Sequence, residues 1–248
     1  MPGFCLSEIW RRQDAINLPE VVTLGETMAV FAPETKEPLR YVHSFQMRMA
    51  GAESNFAVGI QKLGHSAGWI GRLGNDEFGY FIRNSIRSEG VDTSGVIFDQ
   101  ENGTGIMFKD TYPSETRVYY YRSSSAASRL SPGDIDEAYI SGAKLLHITG
   151  ITPVLSESCR TAVDRAVDIA EKNGLLISFD PNIRLKLWGA SDYTEQIVRL
   201  MNRSDVVLLG KSEAQMLLGT DNPSEITARI FGEGRARFIA LKNGAKGA

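Results

Sequence analysis

Small residues leading straight into a helix start, with an amide in the first turn, suit the capture of a hydroxylated ligand. The segment Ala50-Gly51-Ala52-Glu53-Ser54-Asn55-Phe56-Ala57 has that form. Gly51 lets a ligand approach the backbone, and the free N–H groups of the first turn and the Asn55 amide can bind hydroxyls. The same residues would also serve as a plain helix cap. A second candidate is Asp180-Pro181-Asn182-Ile183-Arg184, which follows the apolar run Leu176–Phe179. It offers a carboxylate, an amide and a guanidinium together, and Arg184 can pair bidentately with an acidic ligand. A turn built on Pro181 with an exposed arginine is the simpler reading. A third is Tyr119-Tyr120-Tyr121-Arg122. On a strand, Tyr120 and Arg122 point to one face, where a phenol beside a guanidinium suits a carboxylate or a hydroxyl. A solvated strand face would look the same.

Other patterns fail on inspection. Gly210-Lys211-Ser212 resembles the end of a P-loop, but Asp205 occupies the place of the required first glycine. Gly232-Glu233-Gly234 follows a predicted helix and lacks the third glycine of a dinucleotide fingerprint. His43, His65 and His147 lie far apart without ligand spacing. Asn102-Gly103-Thr104 and Asn202-Arg203-Ser204 match the glycosylation pattern by chance in a chain with no secretory signal.

The elements that must position these residues fall into two rhythms. Val21–Leu24 reads as a first buried strand. Residues 40–49, 104–110 and 116–122 read as antiparallel strands, the last two separated by the turn at Tyr112-Pro113-Ser114. Helices fit about 52–63, stopped by Gly64, and 76–89, opened by Asp76 and closed by Gly90. From residue 144 strands and helices alternate: strand 144–149, helix 156–172, strand 175–180, helix 191–202, strand 206–209, helices 211–218 and 223–232, strand 237–242. That alternation predicts βαβ units and a mostly parallel sheet flanked by helices, the early strands forming a small β-lid. Ligands bind beyond the carboxyl ends of such strands, so the residues after Leu24, Thr149, Phe179, Leu209 and Leu241 matter most.

With 42% hydrophobic and 23% charged residues, the composition is that of an ordinary globular domain. A net charge of -3 gives no basic footprint for nucleic acid. Cys5 and Cys159 are too few for a disulfide framework, which suits a reducing cytoplasm. No apolar run approaches the ~20 residues of a membrane span. Residues 1–19 read as an N-terminal extension; Arg11-Arg12 is not followed by an apolar stretch, and Trp10 could dock the extension on the body.

Gly25-Glu26, the segment AGAESNFAVG at 50–59, Gly64 and GRLGNDEFG at 71–79 together resemble the first signature of ribokinase-like (PfkB) sugar kinases. Glu53 stands where many members have a small residue and is similar to the 2-keto-3-deoxygluconate kinase branch. VYYYRSSSAASRL at 118–130, LLHITGITPVLS at 145–156, FDPNIRLKLW at 179–188 and LKNGAKGA at 241–248 resemble the same branch. The likeness spans about 20–248, read as one incomplete kinase domain with lid strands near 40–49 and 104–122.

The resemblance implies that Gly51 and Asn55 bind the sugar, that Tyr120 and Arg122 reach in from the lid, and that Arg184 meets the substrate carboxylate. It implies ATP and Mg²⁺ as cofactors, with Glu213 near the metal and phosphates and Lys242 and Gly244 bordering the nucleotide. Two departures touch this assignment: Gly210 stands where ribokinases carry an Asn, and Met107 where the branch often has a Tyr. A homo-oligomer built through the lid strands is also implied. The family's Gly-Ala-Gly-Asp segment, which carries the catalytic base, is not found before Ala248. The sugar-acid kinase activity is therefore expected of a longer protein, and this polypeptide alone is expected to transfer no phosphate. An exposed edge and apolar patch around 206–209 and 237–241, with poor solubility, is a further expectation. The alternatives are a neutral-sugar kinase such as a fructokinase, or a sugar-binding fragment without catalysis.

Overall fold

The computed structural model describes residues 18–112 and 116–248. Nearly all of the expected N-terminal extension, with Cys5, Trp10 and Arg11-Arg12, lies outside these residues, as do Pro113 and Ser114 of the expected turn.

The main sheet has seven parallel strands: β1 (Val21–Leu24), β4 (Ala67–Gly74), β5 (Val96–Asp99), β8 (Leu145–Thr149), β9 (Leu176–Asp180), β10 (Val206–Gly210) and β11 (Phe238–Lys242). Their spatial order is β11-β10-β9-β8-β1-β4-β5. The chain starts at β1, winds outward through β4 and β5, then returns to β8 on the other side of β1 and winds the opposite way to β11. The carboxyl ends of β1 and β8 therefore flank the switch point, where open α/β sheets bind ligands.

The strand centres are apolar because helices cover both faces. Leu24, Leu146, Ile148, Ile177, Phe179, Val207 and Leu209 pack with Ala162, Val163, Ala166 and Val167 of the helix Glu157–Lys172 in one core. That helix starts where Ser156 accepts a hydrogen bond from the Cys159 N–H at 3.1 Å. A second core, with Ala57, Trp69, Leu73, Ile82 and Ile86, joins the sheet to the helices Ala52–Lys62 and Glu77–Ser88. Asp76 caps the latter helix, accepting from the Gly79 N–H at 2.7 Å.

The lid is a separate four-stranded sheet in the order β3-β2-β6-β7: β2 (Met28–Pro33), β3 (Phe45–Ala50), β6 (Ile106–Asp110) and β7 (Arg117–Tyr121). Its outer pairs are antiparallel, but β2 and β6 run parallel, so the expected all-antiparallel lid is corrected. Residues 39–41 form a 3-10 turn rather than the start of a strand, and β3 begins only at Phe45.

Three strands have no counterpart in the pattern reading: β2, β4 and β5. The β4 sequence AGWIGRLG is glycine-rich and poor in β-branched residues, yet almost wholly buried. Its glycines are required by packing. A Cβ at Gly68 would meet the Tyr139 hydroxyl, and one at Gly71 would enter the Trp69 ring. Burial between neighbours, not intrinsic preference, makes this segment a strand. The helix expected over 191–202 forms as Thr194–Asn202, and a separate short helix, Leu185–Trp188, precedes it where none was expected, ended at Gly189, whose φ of +57° few other residues accept. The exposed edge expected at 206–209 is not there, because β10 is interior: Val207 and Leu209 are fully buried, and Val206 and Leu208 are half-buried. The exposed edge of the sheet on this side is β11, where Phe238 is 58% exposed.

Candidate functional site

A cavity of about 570 Å³ opens between the lid and the carboxyl edge of the main sheet. Gly51, Asn55, Tyr120, Arg122 and Arg184 all line it. They come from three places: the start of the helix Ala52–Lys62, the end of β7, and the loop after β9. The lid thus brings Tyr120 and Arg122 opposite residues separated from them by about a quarter of the chain.

The individual geometries differ in instructive ways. Gly51 precedes its helix with an extended φ of -157° and provides no side-chain cap. A Cβ there would overlap Thr27, the Glu26 carbonyl and Ser54, so tight packing on the β1–β2 connection already demands glycine. Its missing side chain makes room for protein as well as bordering the cavity.

Arg122 is only 12% exposed in its side chain and forms an ion pair with Glu26, which is 2% exposed. The Ser125 hydroxyl donates to Glu26 Oε1 at 3.0 Å. Burial pushes the Glu26 carboxyl upward, while Arg122 and Ser125 pull it back. The Arg122 guanidinium also sits 5.7 Å from the Tyr120 ring centroid. Arg122 is therefore held in place before any ligand arrives, and much of its charge is already met. Arg184 is the contrast. It is exposed at the cavity wall and makes no ion pair among the described residues. Lys186, two residues on, lines the same wall. Pattern reading passed over Lys186, although its place in the Arg184 segment was a usable signal. Met107 lines the cavity as well, so the departure from the branch's frequent Tyr places an apolar side chain on the cavity wall.

Glu53 is fully buried at the cavity's floor. Its Oε1 accepts hydrogen bonds from Thr149 Oγ1 at 2.6 Å and Thr152 Oγ1 at 2.8 Å. Burial raises this carboxyl above its ordinary range, against the pull of the two hydroxyls.

A second cluster lies beside the cavity at the ends of β9, β10 and β11. Lys242 Nζ is 2.7 Å from Asp180 Oδ1 and 3.8 Å from Glu213 Oε2. Glu213 also accepts from the Gly210 N–H at 2.7 Å and the Ile183 N–H at 2.9 Å. The first bond closes the start of the helix Lys211–Leu218, as a capping glutamate does. The second latches the loop that carries Asn182 and Arg184. Asn182 has a φ of +43°, which asparagine tolerates, and its N–H donates to Asp180 Oδ1 at 3.0 Å. Gly244 lies two residues beyond β11, exposed, with a φ of +58°, and does not border the sugar-sized cavity. Among the described residues, no group of three or more His, Cys, Asp or Glu could hold a metal ion. His147 is buried, stacked on Phe56 with ring centroids 3.6 Å apart. Burial, with Lys242 nearby, lowers it to about 3, so it is a neutral core residue.

A family model described as pfkB family carbohydrate kinase matches residues 18–248. The chain is 38% identical to the 2-dehydro-3-deoxygluconokinase of Bacillus subtilis, over 92% of this chain and 71% of that protein. It is 36% identical to the enzyme of the same name from Thermoproteus tenax, over 96% and 73% respectively. A plant relative, the probable fructokinase-5 of Arabidopsis thaliana, is 31% identical over 93% of this chain and 72% of its own. The crystal structure of a PfkB protein from Polaromonas superposes with a TM-score of 0.88 at 35% identity, covering 92% of this chain and 78% of that one. No helix among the described residues is long and apolar enough to cross a membrane.

Proposed function

The chain belongs to the pfkB family of carbohydrate kinases, phosphotransferases acting on sugars, and on that premise we propose that its substrate is the sugar acid 2-keto-3-deoxygluconate, phosphorylated from ATP with Mg²⁺. The observation that carries the substrate reading is the unequal state of the two cavity arginines. Arg122 is neutralised by Glu26, whereas Arg184 stands without a protein carboxylate among the described residues, with Lys186 beside it. A carboxylated sugar supplies the missing anion, and a neutral sugar does not.

In this reading Arg184 fixes the substrate carboxylate in a bidentate pair, and the Asn55 amide and Tyr120 hydroxyl meet sugar hydroxyls. The lid excludes water from above, which strengthens these polar contacts. Of the cavity's carboxyl groups, Glu26 is ion-paired and Glu53 is fully buried on two threonine hydroxyls. Neither is a free proton acceptor for a sugar hydroxyl.

The second cluster fits the phosphate side. Lys242 is partly exposed at the sheet's carboxyl edge, and Gly244 continues that edge, so these two would hold the nucleotide phosphates. Among the described residues no group of carboxylates could cage a metal alone, which fits a Mg²⁺ brought in on phosphate oxygens with Glu213 nearby. When bound, MgATP supplies the phosphoryl group and spreads its developing charge. Glu213 meanwhile holds the Arg184 loop against the start of the neighbouring helix.

Calorimetric titration of the protein with 2-keto-3-deoxygluconate and with fructose tests the substrate. The sugar acid is expected to bind at least about tenfold more tightly, the worth of one charge-assisted contact. Equal or tighter binding of fructose overturns the sugar-acid reading in favour of a neutral-sugar kinase.

A further inference from the structure

Glu53 is the one carboxyl of the cavity whose arrangement the reading above leaves unexplained. It sits at the topological switch of the sheet. Its carboxyl packs against Gly25, the residue after β1, so closely that a Cβ there would overlap it. On the other side Thr149, at the end of β8, and Thr152 both donate to Oε1. The Thr149 oxygen also accepts the Ile151 N–H at 3.1 Å, while its hydroxyl donates to Glu53. Oε2 is buried and has no hydrogen-bond partner among the described residues. None of the cavity's cations contacts Glu53: Arg122 is engaged by Glu26, while Arg184 and Lys186 stand exposed.

A carboxyl so enclosed and without a cation is held as the neutral acid. Two hydroxyls already donate to Oε1, so the proton belongs on Oε2. A buried O–H with nothing to receive it is an unmet donor at the floor of a ligand cavity. We infer that Glu53 determines sugar specificity by donating a hydrogen bond from Oε2–H to an oxygen of the bound sugar. This rests on the sugar-site reading above. Glu53 takes no part in moving the phosphoryl group; it recognises an acceptor oxygen where an ionised carboxylate would repel one.

Glutamine is the close mimic, since its carbonyl can accept from Thr149 and Thr152 while its NH₂ donates from the Oε2 position. Leucine has similar bulk and no donor. The test is calorimetric titration of wild type, Glu53→Gln, Glu53→Leu and Thr152→Val with 2-keto-3-deoxygluconate, with a thermal melt of each. Glu53→Gln is expected to keep wild-type affinity within about threefold, and Glu53→Leu to lose about tenfold or more, the effect of an unpaired ligand oxygen. Thr152→Val removes a contact to Glu53 but not the Oε2–H. It should lower the melting temperature and leave affinity within about threefold. If Glu53→Leu binds as well as wild type, or if Thr152→Val loses as much affinity as Glu53→Leu, the residue is only structural and the inference falls. If Glu53→Leu does not fold, loss of affinity in the folded Glu53→Gln variant overturns it equally. Failure of wild type to bind any sugar acid removes the sugar-site reading and this inference with it.

Discussion

Lys242 Nζ lies 2.7 and 2.8 Å from the two oxygens of Asp180, so the end of β11 is tied to the end of β9 across the full width of β10. Burial pushes the Asp180 carboxyl upward, and Lys242 pulls it back. Replacing Lys242 by methionine should therefore raise the Asp180 pKa further, measured by NMR titration of the side-chain carboxyl. Lys242 is 40% exposed in its side chain, so screening limits the stability loss near neutral pH to about 1 kcal/mol. Urea unfolding at neutral and acid pH should show that loss vanish once Asp180 is protonated.

The two cavity arginines should separate cleanly in experiment. Arg122→Ala leaves Glu26 buried without its cation and is expected to cost about 3–5 kcal/mol in urea unfolding. Arg184→Ala touches no protein carboxylate among the described residues and should leave stability nearly unchanged. It should instead weaken the sugar acid by about 10- to 100-fold while sparing fructose, as loss of a charged hydrogen-bonded pair does. If Arg184→Ala affects both sugars alike, Arg184 does not read the carboxylate.

Besides the place near the metal proposed for it, Glu213 bonds two backbone N–H groups and so ties the Arg184 loop to the next helix. Glu213→Ala frees the N–H groups of Gly210 and Ile183, which are now bonded at 2.7 and 2.9 Å. The expected cost is about 2 kcal/mol of stability. Because Ile183 precedes Arg184, sugar-acid affinity measured without nucleotide should fall as well. Unchanged affinity in the absence of nucleotide would show that the latch is not needed to place Arg184.

His147 gives the fold an acid limb. Burial, with Lys242 second, lowers it from 6.5 to about 3, so the unfolded chain binds a proton that the folded one refuses. Its contribution is complete above the unfolded value near 6.5 and is lost as pH falls from there towards about 3, at up to roughly 1.4 kcal/mol per pH unit. His147→Phe should flatten the pH dependence of urea unfolding over that window. Ser178 Oγ, 3.1 Å from His147 Nδ1, then loses its partner, so the variant is less stable at neutral pH. A slope unchanged from wild type would assign the acid limb to other groups.

The sheet could be read along the chain because its later strands, Leu145–Thr149 to Phe238–Lys242, are apolar runs separated by capped helices. Such local signals are carried by neighbours in sequence. β4 could not be read this way, since Gly68 and Gly71 are set by Tyr139 and by the Trp69 ring rather than by local preference. The parallel pairing of β2 with β6 was hidden for a related reason. Register between distant strands depends on which faces end up covered, and residue type alone does not fix it.

Residue types alone determined which side chains were available: an amide at 55, a phenol at 120, guanidiniums at 122 and 184, a carboxyl at 53. Chemistry of that kind is intrinsic to each side chain. Tertiary structure decided what each one is free to do, because ionisation and hydrogen bonding depend on burial and on partners brought from elsewhere in the chain. Folding gave Arg122 to Glu26, left Arg184 open, and enclosed Glu53 between Gly25, Thr149 at the end of β8 and Thr152 just beyond it.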